Sequence, residues 1–234
     1  MNIIFEVERS FKYFRRGLAE VQGISGRTSF YDPVLLFLAS GFERLFKAML
    51  CLNYKERKGM LPEPGELWNL KKGHDILDLK SKVELVCLPI DRPYGQSDYE
   101  LITKDEIINL ICELLGEFAQ GSRYFNLDAV LGRKQRYNSE RAWESLETTL
   151  MKASLGEVEY YKKLGNPKML DELYSLSNRG IVIYLEKYLR AITRQFIFQT
   201  FSNDASSMIV AVDYFGYLRN SELGITNYTE FRKF

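Results

Sequence analysis

The sequence predicts an all-α fold, a multi-helix up-and-down bundle with a C-terminal helical extension. Apolar residues recur at spacings of three and four over long stretches, most clearly over 3–22 and 173–196. No stretch alternates apolar and polar residues as a half-buried strand does. Apolar residues make up 46% of the 234 positions, which is enough for a sizeable core. We therefore expect a single helical domain, with the bundle over about 1–155 and the extension over about 156–234.

The first two helices follow from their apolar spacing. Helix 1 is predicted over 3–22, where one face carries Ile4, Val7, Phe11, Phe14 and Leu18. Pro33 suits the first turn of helix 2, which is predicted to run to about Arg57. Because helix 2 is apolar on nearly all sides, we expect it to be the central helix of the bundle.

Helix 3 lies between two segments that are predicted as loops. Prolines and glycines interrupt the chain over 58–69, and two prolines and a glycine do so over 89–100. Between them, apolar residues at helical spacing predict helix 3 over about 74–87.

The later helices are predicted from capping residues as well as from apolar spacing. Thr103 is the expected N-cap of helix 4, with Glu106 as its capping-box partner. Helix 4 should end near Arg123, before a loop over 125–137, and Asn138 or Ser139 should cap the next helix. The remaining predicted elements are helix 5 to about 154, a long helix over 173–196 with a kink or break at 178–180, a last helix over 204–218, and a tail over 223–234.

Composition excludes several classes of partner and cofactor. Lys and Arg number 32 against 31 Asp and Glu, so no global field draws the chain to nucleic acid or to an anionic membrane. The three cysteines are widely spaced and contain no CxxC pair, so we expect no zinc site, no disulfide framework and no cofactor. We find no secretory signal and no apolar run of the roughly 20 residues that a membrane span needs. The expectation is a cytoplasmic protein with reduced thiols.

His74 is the only histidine, and its sequence context favours two interpretations. It follows Gly73 at a predicted helix start, and Lys71 and Lys72 precede it. Free N–H groups at a helix start, together with two cations, are typical of a phosphate or RNA-backbone site. In the second interpretation His74 is a structural residue that bonds to helix 2 or to the segment around Arg123. We predict this side-chain hydrogen bond.

Two sets of charges lie at helical spacing. Glu43 and Lys47 are four residues apart on helix 2, in the favourable order for an ion pair. They form either a buried polar site inside the bundle or a partly solvated pair. Glu186, Arg190 and Arg194 also follow at intervals of four, which predicts an exposed ladder of ion pairs.

The segment over 121–141 interleaves basic and aromatic side chains. Its members are Arg123, Tyr124, Phe125, Arg133, Lys134, Arg136, Tyr137 and Arg141. Such a mixture can clamp single-stranded nucleic acid through charge and stacking. The alternative is a solvated loop beside the basic end of helix 4.

Three stretches together resemble the HEPN superfamily of helical nucleotide-binding domains. They are "GFERLFKAMLCL" (41–52), "KKGHDILDLKSK" (71–82) and "GSRYFNLD" (121–128), and the resemblance spans about residues 30–130. The resemblance implies a helical bundle, often dimeric. It also implies a role as an RNase, as a partner in a toxin–antitoxin or phage-defence system, or as a binder of RNA or nucleotides.

Active members of that superfamily carry an Arg, four to six residues, and then a His. With one histidine, the three permitted positions are Leu67, Trp68 and Asn69, and none is Arg. We therefore expect a non-catalytic protein that binds RNA, a nucleotide or a protein partner, without a metal. The expected ligand-binding residues are Lys71, Lys72, His74, Arg123 and Tyr124.

Two alternatives and an expectation about assembly remain. One alternative is a metal-independent RNase that uses His74 as base and Lys72 or Arg123 as the cation on the phosphate. The other is a structural or interaction protein. We also expect a homodimer through the apolar C-terminal residues Ile209, Val212, Phe215 and Tyr217.

Overall fold

The computed structural model describes residues 3–28, 30–68, 74–133 and 137–233. This part of the chain forms ten α-helices and five short 3₁₀ helices and contains no strand, so the all-α prediction is confirmed. The α-helices are α1 (Ile3–Gln22), α2 (Asp32–Lys58), α3 (Ile76–Glu84), α4 (Gly95–Lys104), α5 (Glu106–Gln120), α6 (Phe125–Val130), α7 (Ser139–Leu155), α8 (Glu157–Leu164), α9 (Leu170–Ile197) and α10 (Ile209–Gly216). None of these helices is both long enough and apolar enough to cross a membrane.

Helices α1 and α2 pack closely because small residues face large ones where the two helices meet. A Cβ atom added at Gly17 would lie 2.6 Å from Leu38 Cδ2, and one added at Gly41 would lie 2.8 Å from Phe14 Cε1. The ring of Phe14 also packs edge-on against Phe42, with centroids 4.9 Å apart. This packing fixes the position of α2, on which the candidate site is built.

Side-chain caps set the starts of three α-helices, α3, α5 and α7. The carboxylate of Asp75 accepts a hydrogen bond from Asp78 N at the start of α3, at 3.0 Å. Asn138 does the same for α7 through Arg141 N, also at 3.0 Å. Each cap satisfies a backbone N–H group that has no partner within its own helix.

The N-cap predicted at Thr103 is wrong. Residues 95–104, in part predicted as loop, form α4, and the hydroxyl of Thr103 donates to Tyr99 O within that helix at 2.8 Å. Asp105 caps α5 instead, accepting from Ile108 N at 2.9 Å. The N-cap of this helix therefore lies two residues later than predicted.

Other boundaries also differ from the prediction. α6 lies within the predicted loop over 125–137, and α8 was not predicted. α9 continues without a break through Gly180. The last helix begins at Ile209 because Ser202 caps a 3₁₀ helix over Asn203–Met208. The predicted tail is packed rather than free, since Tyr228 is fully buried.

The exposed ladder predicted on α9 is also wrong. Glu186 is fully buried, where its carboxylate accepts from Gly224 N at 2.6 Å and from the Tyr228 hydroxyl at 2.7 Å. Arg190 is buried and donates to Leu218 O at 2.9 Å. The C-terminal segment, residues 218–228, therefore covers this face of the helix.

The third residue of that series is covered by α4. Arg194 pairs with Asp98 of α4 at 2.7 Å, and its guanidinium lies 3.9 Å from the centroid of the Tyr94 ring. Glu186, Arg190 and Arg194 therefore bind other elements of the fold and do not form a ladder of ion pairs with one another.

The C-terminal apolar residues are divided between core and surface. Val212 and Phe215, which we expected at a dimer interface, are fully buried in the core of the chain itself. Tyr217 is 72% exposed, and Ile209 is half-buried. Two of the four expected interface residues are therefore unavailable to a partner.

Candidate functional site

A cleft of about 680 Å³ runs along one face of α2. The helix supplies residues at spacings of three and four, which places them on one side. They are Ser40, Glu43, Arg44, Lys47, Ala48 and Cys51. Ile3 and Glu6, at the start of α1, form the edge of the cleft. The dimensions suit a small organic ligand, since typical ligand pockets measure roughly 300–1,000 Å³.

The loop after α2 forms the opposite wall, which is largely apolar. Gly59 ends α2 in the left-handed conformation, at φ 74°, and turns the chain back along the helix. Apolar lining residues of the loop are Leu61, Pro62, Pro64, Leu67 and Trp68. The hydroxyl of Tyr54 on α2 donates to Glu66, which ties the loop to the helix.

Glu43 is the central polar group of the cleft. One carboxylate oxygen accepts from Lys47 Nζ at 2.6 Å, and the other lies 2.8 Å from His74 Nδ1. The side chains of Glu43 and Lys47 are about one fifth exposed, while that of His74 is 60% exposed. The predicted side-chain hydrogen bond from His74 to helix 2 is therefore confirmed. The Glu43–Lys47 pair lines an open cleft.

Lys47 also contacts the apolar wall. Its Nζ lies 5.2 Å from the centroid of the Trp68 ring, within the range of a cation–π interaction. The ammonium group thus lies between the carboxylate of Glu43 and the indole of Trp68. This arrangement places an aromatic face, a cation and a carboxylate next to one another.

A second ion pair lies at the α1 edge. Arg44 donates to Glu6, and Arg9 lies 3.2 Å from the other oxygen of that carboxylate. The guanidinium of Arg44 also lies 5.5 Å from the Tyr13 ring centroid. Cys51 is a further member of the lining, and burial raises the pKa of its thiol, which favours the protonated form.

The structure separates the predicted ligand residues. Arg123 lines a small depression with Asp32 and Leu35, near the start of α2. Asp32 and Glu43 are eleven residues apart, or roughly 16 Å along the helix axis. Tyr124 is 51% exposed, and the Arg123 guanidinium lies 5.0 Å from its ring centroid. Arg123 and Tyr124 therefore do not share the cleft with His74.

Four predicted basic residues lie outside the described residues. They are Lys71, Lys72, Lys134 and Arg136. Within the described part of the basic segment, Arg133 pairs with Asp128 at 3.2 Å. The ranges that the structure describes hold no group of three His, Cys, Asp or Glu side chains that suits a metal ion.

Trp68 and Arg44 were not predicted as site residues. A local signal for Arg44 exists, because it follows Glu43 directly and shares the helix face of Lys47. The sequence indication for Trp68 was weaker, since it is one of two tryptophans and lies in a loop that contains two prolines. Its position against Lys47 depends on how the loop folds back.

A separate polar cluster is buried between α2, α7 and α9. The carboxylate of Glu147, 2% exposed, accepts from the Tyr31 hydroxyl at 2.9 Å and from Trp143 Nε1 at 3.1 Å. Burial raises the pKa of Glu147 to about 7, although both hydrogen bonds act in the opposite direction. Glu144 and Tyr174 also lie near this group.

The sole histidine presents one nitrogen to Glu43 and the other away from it. When the imidazole is neutral, the Glu43 carboxylate holds the proton on Nδ1, and Nε2 is then an acceptor.

No protein-family model, curated protein or solved structure matches this chain.

Proposed function

We propose that this chain is a HEPN-like, non-catalytic binding protein whose cleft takes a nucleoside or a nucleotide. The observation that carries the proposal is the Glu43 carboxylate, which holds both Lys47 and His74 at the wall of a 680 Å³ cleft opposite Trp68. Ligand pockets typically combine a mainly apolar lining with a few convergent polar groups. This cleft has both features.

The chemistry of the wall fits a heterocyclic base. A base that enters the cleft can pack on Trp68 and the loop prolines, and base–aromatic contacts contribute about 1–3 kcal/mol each. Glu43 can accept further hydrogen bonds from amino or hydroxyl groups, because a carboxylate has about four acceptor positions. Lys47 retains donors for a carbonyl or phosphate oxygen.

The family resemblance supplies the biological expectation. Two of its three stretches contribute residues to the cleft: 41–52 provides Glu43 and Lys47, and 71–82 provides His74. We extend the proposal to a toxin–antitoxin or phage-defence setting on the basis of that resemblance. An RNA strand is the weaker candidate ligand because Arg123 and Tyr124 lie outside the cleft.

Fluorescence titration tests the binding proposal. Trp68 lines the cleft and Trp143, the other tryptophan, is fully buried, so a change on ligand addition reports on Trp68. We expect saturable quenching by nucleosides or their 5′-monophosphates, and loss of the response in Trp68→Phe. Lys47→Met should weaken binding about tenfold, or about 1.4 kcal/mol.

Lys55→Met provides the matched control. Lys55 lies on the same helix and pairs with Asp204 at 2.6 Å, away from the cleft lining. It should bind as the parent protein does. If calorimetry detects no binding of any nucleoside or nucleotide up to millimolar concentration, the proposal is wrong and an interaction protein becomes the better interpretation.

The position of His74 favours one second candidate, a metal-independent RNase. An imidazole held at Nδ1 by a carboxylate is oriented as a general base. Arg123 lies beside the start of α2, whereas His74 contacts the middle of that helix, so the two side chains are too far apart to act on the same phosphate. Lys72 lies outside the described residues. We expect no cleavage of a fluorogenic RNA by the pure protein. Cleavage that disappears in His74→Ala would establish the RNase alternative.

A further inference from the structure

We infer that the cleft selects ligands of low negative charge, a nucleoside or a nucleoside monophosphate in preference to a triphosphate. This inference rests on the proposed function and names the ligand class of the same cleft. It depends on the charges of the lining, on the helix ends near the cleft and on the ion pairs that a polyphosphate would have to displace.

The described lining has more carboxylates than permanent cations. Glu6, Glu43 and Glu63 carry three negative charges, whereas Arg44 and Lys47 carry two positive charges. The described lining residues therefore sum to a net charge of −1 when His74 is neutral and to zero when it is protonated. A triphosphate would bring several further negative charges into this environment.

Both cations already have carboxylate partners. Lys47 Nζ lies 2.6 Å from Glu43, and Arg44 is bound to Glu6. A phosphate chain that recruited Arg44 would leave Glu6 with Arg9 alone, and one that recruited Lys47 would leave Glu43 with His74 alone. Each exchange would break an existing ion pair of a partly buried carboxylate, which is costly. One phosphate can share the remaining donors of Lys47, but a chain of three has no comparable set of free cations among the described lining residues.

The helix ends near the cleft are also occupied by acidic side chains. α1 begins at Ile3, and Glu6 supplies a negative charge in its first turn. At α3, just after His74, Asp75 accepts the backbone N–H of Asp78. Free N–H groups at a helix start are what make such a position an anion site. Here the Asp75 carboxylate already binds one of these N–H groups at α3, and Glu6 places a negative charge beside the first turn of α1, so both helix starts attract a phosphate less than an uncapped one would.

The rest of the lining suits an uncharged, planar group. Leu61, Pro62, Leu67 and Trp68 form an apolar wall, and Ala48 lies on the helix side. A base can bury its faces there without the loss of hydration that a phosphate would incur. Glu43 then lies where it can accept from a ribose hydroxyl or an exocyclic amine.

A titration series with adenosine, AMP, ADP and ATP tests the inference at constant ionic strength and without divalent metal. We expect adenosine and AMP to bind within about threefold of each other, and ATP to bind at least about tenfold more weakly, a difference of about 1.4 kcal/mol. Tighter binding from AMP to ATP would overturn the inference and leave the proposed function in place. If none of the four binds, and guanosine, cytidine and uridine also fail, the proposed function itself is wrong.

A charge-reversal pair makes the test independent of the absolute affinities. Glu63→Lys reverses one charge of the lining and should raise the ratio of ATP affinity to adenosine affinity several-fold. Glu159→Lys is the control, because Glu159 lies on α8 outside the lining, 3.4 Å from Lys162. An unchanged ratio in Glu63→Lys, with adenosine still bound, would show that lining charge does not set the selectivity.

Discussion

Nδ1 of His74 lies 2.8 Å from a carboxylate oxygen of Glu43, a residue 31 positions earlier in the chain. The contact joins the segment that leads into α3 to the middle of α2. Glu43 also holds Lys47, so loss of the imidazole leaves the carboxylate with one partner. His74 is more exposed than Glu43, which limits the contribution of the bond to stability.

The first prediction concerns the stability of His74→Ala. We expect the free energy of unfolding to fall by about 0.5–1.5 kcal/mol, the usual net contribution of an intramolecular hydrogen bond. Urea denaturation of the parent, His74→Ala, Glu43→Gln and the double variant gives the coupling energy. Additive effects would mean that the two side chains do not interact in solution.

The second prediction concerns the pH dependence caused by Glu147. Its pKa is about 7 in the folded protein, above the ordinary value of 4.5, because burial disfavours the charged form. The stabilising contribution is therefore complete below pH 4.5 and is lost as pH rises through about 7. The groups that face it are Tyr31, Trp143, Glu144 and Tyr174, and none of these is a cation.

Glu147→Gln isolates this contribution. We expect the difference in unfolding free energy between the parent and the variant to move by roughly 2–3 kcal/mol in favour of the variant as pH rises from 4 to 8. Denaturation at several pH values measures the difference, which removes the effect of other carboxylates. A difference that does not vary with pH would show that Glu147 titrates normally.

Local patterns explain which elements were predicted correctly. Helix 1 was predicted over 3–22 and α1 spans Ile3–Gln22, because a long amphipathic pattern depends only on nearby residues. The start of α4 was missed because two prolines precede it and its first residue is a glycine, a composition typical of a loop. The cap of α5 was misplaced because Thr103 and Asp105 both have capping side chains.

Non-local packing explains the errors in burial. Glu43 and Lys47 were found as a pair because their spacing on one helix determines the contact. Glu186 has the same kind of spacing to Arg190, but the C-terminal segment folds over α9 and provides Glu186 with other partners. Nothing within four residues of Glu186 indicates that cover. The position of Trp68 in the cleft was missed for the same reason.

The third prediction concerns the cover over Glu186. Tyr228 is fully buried and donates its hydroxyl to this carboxylate at 2.7 Å. Tyr228→Phe removes the partner of one carboxylate oxygen of Glu186, while the other oxygen keeps its hydrogen bond from Gly224 N. An unsatisfied buried acceptor costs about 1–3 kcal/mol. Tyr217→Phe is the control, since that side chain is 72% exposed and should change stability by less than about 0.5 kcal/mol. Equal effects of the two substitutions would contradict the role of the buried hydrogen bond.

The last prediction concerns association. The homodimer expected from the C-terminal sequence cannot use Val212 and Phe215, which are buried, but Tyr217 and Ile225 remain 72% and 66% exposed. These two side chains line one shallow depression together with Tyr214, and exposed apolar side chains that lie close together are typical of a contact surface. We expect a dimer in sedimentation at tens of micromolar, an order-of-magnitude choice for a typical interface.

Ile225→Asp should shift the protein to monomer because it would place an unpaired charge in that interface. Val158→Asp, on an α8 residue that is 85% exposed, should leave the dimer intact. A monomeric parent protein at these concentrations would contradict the dimer, and a dimer that survives Ile225→Asp would place the interface elsewhere.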